Sequence, residues 1–131
     1  MKVIIHADGA SRGNPGQSAI GATVKDTEGR LLAAVSQRIG RATNNQAEYR
    51  AVIAALEQAL KLGAASAEVY LDSELVVKQL KGSYRVKNAA LKPLYDRAVG
   101  LAGALQEFRV SHLPRCRNAE ADALANKAFG N

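Results

Sequence analysis

The stretch MKVIIHADGASRGNPG, residues 1–16, decides how the rest of the sequence is interpreted. Its apolar core, Val3-Ile4-Ile5, is typical of a strand buried on both faces of a sheet. Asp8 is the last residue of this expected strand. Residues 9–16 contain three glycines and the segment Asn14-Pro15-Gly16, which predicts a turn. The sequence therefore begins with a buried strand that ends on a carboxylate.

The following segments predict the remaining elements. Residues 19–25 and 31–39 are strand-like, and Thr27-Glu28-Gly29 between them indicates a hairpin. The other expected elements are a helix from Thr43 or Asn44 to Gly63, a strand at 67–72, a helix at 73–80 capped by Ser73, a helix at 88–101, a strand at 107–113, and a last helix capped by Asn118 that ends before Gly130. The order βββαβααβα predicts an α/β fold, a five-stranded mixed sheet with helices on both faces. We expect residues 1–131 to form a single domain.

Composition and charge restrict the class of protein. No segment approaches the roughly 20 apolar residues that cross a bilayer, and the first apolar run is too short for a signal peptide, so we expect a cytoplasmic protein without membrane contact. A single cysteine, Cys116, excludes an intrachain disulfide and a four-cysteine zinc site. The net charge of +6 favours a polyanionic partner, although solvated basic faces explain it equally well. The absence of Trp favours phosphate contacts over base stacking.

Four acidic residues occupy positions next to the expected core, at strand ends and at the borders of apolar helix faces. Asp8 and Asp72 end expected strands, and if these strands are parallel neighbours their carboxyl ends meet at one sheet edge. Because neighbouring strands lie about 4.8 Å apart, the two carboxylates would then crowd each other. Either Asp alone is better explained as a turn former or a helix cap. Glu48 and Asp122 lie in the first turns of two expected helices, at the borders of their apolar faces. Each of these acids alone is explained by the helix dipole.

Taken together, the four acids predict an oxygen-only cation site. Carboxylates without His or Cys partners suit Mg²⁺ or Mn²⁺, and such a cluster can hold two ions about 3.5–4 Å apart for phosphodiester cleavage. A single structural cation, or none, is the alternative that spacing alone leaves open.

The segments around these acids carry a resemblance to a known family. They are Asp8-Gly9-Ala10-Ser11-Arg12-Gly13-Asn14-Pro15-Gly16, Thr43-Asn44-Asn45-Gln46-Ala47-Glu48, Asp72-Ser73 and Asn118-Ala119-Glu120-Ala121-Asp122-Ala123-Leu124-Ala125. In this order they resemble the motifs of type 1 ribonuclease H, of the ribonuclease H-like superfamily, over nearly the whole chain. The resemblance implies an endonuclease that hydrolyses the RNA strand of RNA–DNA hybrids and leaves 5′-phosphate and 3′-hydroxyl ends. Secondary activity on double-stranded RNA stays open.

The resemblance also implies roles for individual residues. Asp8, Glu48, Asp72 and Asp122 would hold two Mg²⁺ ions, with Mn²⁺ as a substitute. The implied substrate-binding residues are Gly9, Ala10 and Ser11 beside the RNA, Asn44, Asn45 and Gln46 in the minor groove, and Arg41, Thr43 and Asn88 at a phosphate of the DNA strand. Asn14 is also implied to bind substrate, without assignment to either strand. RNA 2′-hydroxyls distinguish RNA from DNA, which suits the first group. Helix capping is the alternative for Asn44, and solvated surface positions are the alternative for Arg41 and Asn88.

Two departures from the family pattern mark a short form. Many relatives carry a His in the loop before the last helix, whereas residues 113–117 here contain none. His112, Arg115 or neither could replace it. The basic handle that some relatives insert after the second helix is also missing, which leaves Lys81, Arg85 and Lys87 to supply electrostatic contact with a hybrid.

Three other functions remain open on the sequence alone. They are a nuclease of the same general fold that acts on branched DNA or double-stranded RNA, a catalytically silent nucleic-acid-binding module, and a structural partner of a larger replication enzyme. The complete set of four acids favours an active nuclease. We expect a monomer with no obligate protein partner.

Overall fold

The computed structural model describes residues 1–130, which form one five-stranded mixed sheet and four α-helices. The strands are β1 (Lys2–Gly13), β2 (Gly16–Lys25), β3 (Leu31–Ala42), β4 (Ser66–Leu71) and β5 (Glu107–His112). The helices are α1 (Asn44–Lys61), α2 (Glu74–Leu80), α3 (Lys92–Gly103) and α4 (Ala119–Lys127), and a 3₁₀ turn covers Arg115–Arg117. The sheet order is β3-β2-β1-β4-β5. The pairs β1–β2 and β2–β3 are antiparallel, and β1–β4 and β4–β5 are parallel. The predicted α/β fold and its order βββαβααβα are confirmed.

Two glycines show that helices cover both faces of the sheet. Asp8 pairs with Gly21 across β1 and β2, so Gly9 and Gly21 point to opposite faces. A Cβ on Gly9 would lie 2.3 Å from the carbonyl carbon of Ala47 in α1. A Cβ on Gly21 would lie 2.2 Å from the carbonyl oxygen of Ala121 in α4. Helices α1 and α4 therefore pack on opposite faces, each at a position where only glycine allows the approach.

The turn predicted for residues 9–16 is wrong in extent. Strand β1 continues to Gly13, and only Asn14 and Pro15 connect it to β2. Of the three glycines, only Gly13 has the positive φ, +98°, that a turn requires. A Cβ on Gly16 would lie 2.0 Å from the Arg12 carbonyl oxygen, so that glycine serves close backbone approach. Asp8 therefore lies within a long strand and not at its end.

The helix boundaries follow from local chemistry. Thr43 caps α1 in a capping box with Gln46, which confirms the expected start at Asn44. The helix predicted for 88–101 begins later, at Lys92. Pro93 lies in the first turn of this helix, where a backbone N–H has no partner within the helix, so the missing N–H of proline costs nothing there. The side chain of Asn88 accepts from the N–H groups of Ala90 and Leu91, which makes residues 88–91 a separate turn.

The main core lies between the sheet and α1. Ile5 and Val69 of the central strands and Tyr49 and Leu56 of α1 are at most 1% exposed. The hydroxyl of Tyr49 donates to Oε1 of Gln79 at 2.6 Å, which satisfies a polar group buried between α1 and α2. Within residues 1–130, none of the helices combines the length and the apolar character needed to cross a membrane.

Candidate active site

Three carboxylates converge where β1, β4 and α1 meet. In the parallel pairing of β1 with β4, His6 lies opposite Tyr70, and Asp8 and Asp72 follow two residues later on each chain segment. Glu48 reaches the same point from α1. One oxygen from each of the three carboxylates lies within 4.8 Å of the others. Asp8 and Asp72 therefore meet on neighbouring parallel strands as expected, although only Asp72 follows the end of its strand, because β1 continues past Asp8.

Glu48 is held by the backbone of β1. The N–H of Gly9 donates to Oε1 of Glu48 at 2.7 Å. Glu48 is the fifth residue of α1, so it lies beyond the first turn in which we expected it. Compensation of the helix dipole, which acts in the first turn, therefore does not explain this acid. The other oxygen, Oε2, is buried and has no hydrogen-bond partner among residues 1–130.

The electrostatics of the cluster favour protonation as long as no cation is bound. Burial, together with the negative charges of Asp72 and Asp122, raises the pKa of Asp8 to about 7, although the adjacent Glu48 carboxyl opposes the shift. Burial and the neighbouring Asp8 raise the pKa of Glu48 well above its usual range, although the Gly9 N–H lowers it. Two buried acids side by side cannot both ionise cheaply without a positive charge between them.

Asp122 lies beside the cluster rather than within it. It is in the first turn of α4, and its charge raises the pKa of Asp8, but it is not one of the three carboxylates within 4.8 Å of one another. Its Oδ1 is buried without a hydrogen-bond partner in the described part of the chain. Nη2 of Arg115 approaches this oxygen to 3.6 Å, which is an ion-pair distance and too long for a hydrogen bond.

The residues present fit a hard divalent cation. The donor set consists of carboxylate oxygens, and one oxygen each of Glu48 and Asp122 is buried without a partner in residues 1–130. Buried acids with unsatisfied oxygens are costly unless a cation completes them. Oxygen-only sets suit Mg²⁺ or Mn²⁺ and not the softer metals that His and Cys select. Neither His nor Cys lines the surrounding cavity as far as the structure describes it.

The cluster opens into a cavity of about 440 Å³. The predicted substrate residues that line it are Gly9, Ala10, Ser11, Asn44 and Asn45, and the other lining residues are Asp8, Arg12, Glu48, Asp72, Ser73, Arg115, Asn126 and Phe129. The Ser11 hydroxyl donates to the carbonyl oxygens of Ala42, at 3.0 Å, and Gly13. The structure therefore brings five of the ten predicted substrate residues to the carboxylates.

A second cavity, of about 250 Å³, gathers most of the remaining predicted residues. Its lining is Asn14, Thr43, Asn45, Gln46, Asn88, Ala90 and Leu91. Oδ1 of Asn14 accepts from the N–H of Asn44 at 3.1 Å, which ties the β1–β2 turn to the start of α1. Asn45 lines both cavities. Arg41 is not among the lining residues: it is exposed on β3, opposite Gln17.

The loop before α4 offers one candidate for the absent histidine. Arg115 lines the large cavity and faces Asp122. His112 ends β5, is exposed and does not line that cavity. The only other histidine, His6, stacks on the ring of Tyr70 with centroids 5.2 Å apart, as a packed strand residue does.

The interval between α2 and α3 contains no further helix among the described residues, in line with the absence of the handle. It instead borders a cavity of about 440 Å³ that is lined by Gly82, Tyr84, Arg85, Val86, Lys87, Lys92 and Tyr95. Exposed cations thus lie along the chain directly before Asn88 of the second cavity.

Asn118 is a site residue that the sequence interpretation missed. We expected its side chain to cap α4, but it makes no capping hydrogen bond. The side chain is instead 1% exposed, and its Nδ2 donates to the carbonyl oxygen of Ala7 at 2.9 Å and to Oδ2 of Asp72 at 3.0 Å. Its position one helical turn before Asp122 was the available signal, because residues four apart share a helix face.

Comparison with known proteins agrees with this geometry. The Reverse transcriptase-like family model matches residues 6–128. The bifunctional protein Rv2228c of Mycobacterium tuberculosis (strain ATCC 25618 / H37Rv) is 50% identical over 130 residues, which cover 98% of this chain and 36% of that protein. The chain therefore spans about a third of the length of this curated relative.

Two further proteins match along most of their length. Ribonuclease H of Cupriavidus pinatubonensis (strain JMP 134 / LMG 1197) is 34% identical over 150 residues, which cover 100% of this chain and 97% of that protein. The crystal structure of LC11-RNase H1 in complex with RNA/DNA hybrid superposes with a TM-score of 0.91 at 40% identity, and the match covers 96% of this chain and 95% of that chain.

Proposed function

Because the chain belongs to the ribonuclease H family, we propose that it is an endonuclease that hydrolyses the RNA strand of RNA–DNA hybrids and leaves 5′-phosphate and 3′-hydroxyl ends. The observation that carries this proposal is the carboxylate cluster of Asp8, Glu48 and Asp72 at the base of an open cavity whose walls carry Gly9, Ala10, Ser11, Asn44 and Asn45. Residues 1–131 would act as one catalytic domain and as a monomer.

The four acids are the proposed ligands of the cations. Asp8, Glu48 and Asp72, with Asp122 beside them, would hold two Mg²⁺ ions, or Mn²⁺ in their place. Bound there, the ions would lower the pKa of the attacking water and stabilise charge on the leaving oxygen. The Gly9 N–H holds one oxygen of Glu48, so that the buried Oε2 is the one left to ligate. This hydrogen bond fixes Glu48 before substrate binds, which lowers the cost of organising the site.

The two cavities suit the two strands of a hybrid. The large cavity, with Gly9 to Ser11 on its wall beside the acids, suits the RNA strand that is cut. The smaller cavity, lined by Thr43 and Asn88, suits a phosphate of the uncut DNA strand, with Asn14 beside it. Asn45 lines both cavities and would lie in the minor groove between the strands, with Asn44 and Gln46 on either side in the chain. Arg41 does not line this cavity, so it would contact a DNA-strand phosphate outside the cavity.

Arg115 is the residue that we propose in place of the loop histidine. Its side chain is 80% exposed, its Nη2 lies 3.6 Å from Oδ1 of Asp122, and the residue lines the cavity that holds the acids. A cation at this point can attract substrate or product phosphate. His112 has no such position.

The experiment that tests the function is a side-by-side digestion of three substrates: an RNA–DNA hybrid, duplex RNA and a four-way DNA junction, each with Mg²⁺. We expect the RNA strand of the hybrid to be cut fastest. Preferential cutting of the junction would replace the proposal with a branched-DNA nuclease, and equal cutting of duplex RNA would widen the substrate to any duplex that presents 2′-hydroxyls.

A further inference from the structure

Asn118 joins three elements of the fold at the carboxylate cluster. It lies between the 3₁₀ turn and α4, and its side-chain amide donates to Ala7 in β1 and to Asp72 at the end of β4. Its own carbonyl oxygen accepts from the N–H of Asp122 at 3.0 Å. One residue therefore contacts two of the four acids, one through its side chain and the other through its backbone.

The orientation of the Asn118 amide is determined by its surroundings. Both neighbours, the Ala7 carbonyl oxygen and Oδ2 of Asp72, are acceptors. Only the NH₂ end of the amide can donate to them, because a reversed amide would place its oxygen against two other oxygens. The bond to Asp72 is charge-assisted when that carboxylate is ionised, so it is the stronger class of hydrogen bond.

We propose that Asn118 is a positioning residue that sets the orientation of the Asp72 carboxylate for divalent cation binding. With Oδ2 of Asp72 held by the amide and the amide held by β1, the carboxylate loses its freedom to rotate away from Asp8 and Glu48. Groups that hydrogen-bond to metal-ligating side chains act in this way, and their removal weakens metal affinity about 10- to 100-fold. The inference rests on the proposed function for its role in cleavage, but the positioning itself concerns cation binding alone.

A merely structural role is the alternative, and Gln79 supplies the matched control. Gln79 is also a buried amide, 5% exposed, and it is hydrogen-bonded to the Tyr49 hydroxyl away from the cluster. Asn118→Ala and Gln79→Ala each remove a buried amide. Both should lower the melting temperature of the protein, and only Asn118→Ala should change cation affinity.

The test measures cation affinity without nucleic acid. The melting temperature of the metal-free protein is followed as Mg²⁺ or Mn²⁺ is added, since a ligand of the native state at free concentration c stabilises it by RT ln(1 + c/Kd), so weaker affinity shifts the rise to higher cation concentration. Asn118→Leu is measured beside Asn118→Ala, because leucine has a similar shape without the donor and refills the space that alanine leaves. Asn118→Ala is also combined with Asp72→Asn in a double-mutant cycle.

We expect both Asn118 variants to bind Mg²⁺ about 10- to 100-fold more weakly, with no further loss when Asp72→Asn is already present. The inference is overturned if a folded Asn118 variant binds the cations as the wild type does, or if Asn118→Ala costs as much in the Asp72→Asn background. Hybrid cleavage is assayed separately. Weakened cation binding by a protein that cuts no hybrid would leave the positioning role in place and defeat the proposed function.

Discussion

The backbone N–H of Gly9 donates to Oε1 of Glu48 at 2.7 Å, at a point where β1 and α1 approach too closely for any side chain. A Cβ on Gly9 would lie 2.3 to 2.6 Å from backbone atoms of Ala47 and Glu48. The residue after one acid of the cluster thus holds a second acid in place. The close packing of β1 against α1 at Gly9 therefore also determines where the Glu48 carboxylate lies.

Gly9→Ala should therefore damage both stability and cation binding. The added methyl meets backbone and not a flexible side chain, so β1 and α1 must separate. We expect a loss of about 1–3 kcal/mol in the free energy of unfolding, typical of overpacking, together with weaker Mg²⁺ binding. Urea unfolding and cation titration measure the two effects.

Gly100→Ala is the control for that substitution. Gly100 lies in α3 with nothing within 4 Å of a Cβ, so alanine there should stabilise the protein by about 0.5–1 kcal/mol through helix propensity. Equal stability of Gly9→Ala and the wild type would show that β1 and α1 can separate without cost, and the close contact would then not hold Glu48 in place.

The raised pKa of Asp8 predicts an unusual pH dependence for the metal-free protein. Burial raises the pKa of Asp8 from 3.8 to about 7, so between these values the folded state binds more protons than the unfolded state. The contribution of Asp8 to the free energy of unfolding therefore falls as pH rises from about 4 to about 7. Added Mg²⁺ competes with protons, so its stabilising effect should grow over the same range.

Thermal unfolding from pH 4 to pH 8, with chelator and with Mg²⁺, checks this dependence. Asp8→Asn removes one of the shifted groups and should flatten the metal-free profile. A wild-type profile that runs parallel to that of Asp8→Asn from pH 4 to pH 7 would mean that Asp8 ionises normally in the fold.

Arg115→Ala should lower turnover, whereas His112→Ala should leave it unchanged. Removal of a preorganised donor typically costs about 10²–10³-fold, and because Arg115 is exposed we expect a smaller loss, about 10-fold to 100-fold in kcat. Steady-state kinetics on one hybrid compares the two variants. A normal kcat for Arg115→Ala with a depressed one for His112→Ala would reverse the assignment.

The basic segment before Asn88 should contribute to affinity and not to chemistry. Arg85 and Lys87 are exposed and line the same cavity. Their joint replacement by Ala should raise KM and leave kcat unchanged. The slope of log affinity against log salt concentration should become shallower by about 0.9 for each phosphate contact that is lost. Binding is measured between low and moderate salt.

The control pair for this charge change is Arg30→Ala with Lys61→Ala. Arg30 lies at the β2–β3 connection, and Lys61 ends α1 at the end opposite Glu48, so the same loss of charge should leave KM unchanged. Equal effects of the two pairs would assign the affinity to net charge rather than to this segment.

Local patterns in the sequence predicted most of the fold and the acids of the site. Apolar periodicity and caps placed the strands and helices, and the parallel pairing of β1 with β4 explains why Asp8 and Asp72 meet. The turn predicted for residues 9–16 was too long, because glycine is common both in turns and where two backbones lie in close contact. Gly9 and Gly16 serve contact with residues that are distant in sequence or across the hairpin, which composition alone does not reveal.

The roles of Asn118, Asp122 and Arg41 depend on tertiary contacts that the sequence did not reveal. Asn118 has a residue type that commonly caps helices, and only the position of Asp72 and Ala7 in space shows that its amide is used elsewhere. The position of Asp122, near enough to Asp8 to raise its pKa but outside the three mutually close carboxylates, likewise depends on how α4 packs against the sheet. Arg41, chosen by motif, lies outside both cavities because β3 turns its side chain to solvent.

The most direct test of metal-dependent cleavage uses an RNA–DNA hybrid labelled on its RNA strand, with Mg²⁺, with Mn²⁺ and with chelator, and compares the wild type with Asp8→Asn. We expect RNA cleavage that requires a divalent cation and is lost in the variant, because Asp8 lies at the centre of the acids. Folded wild-type protein that binds the hybrid and cuts it with neither metal would contradict the nuclease assignment and leave a nucleic-acid-binding module.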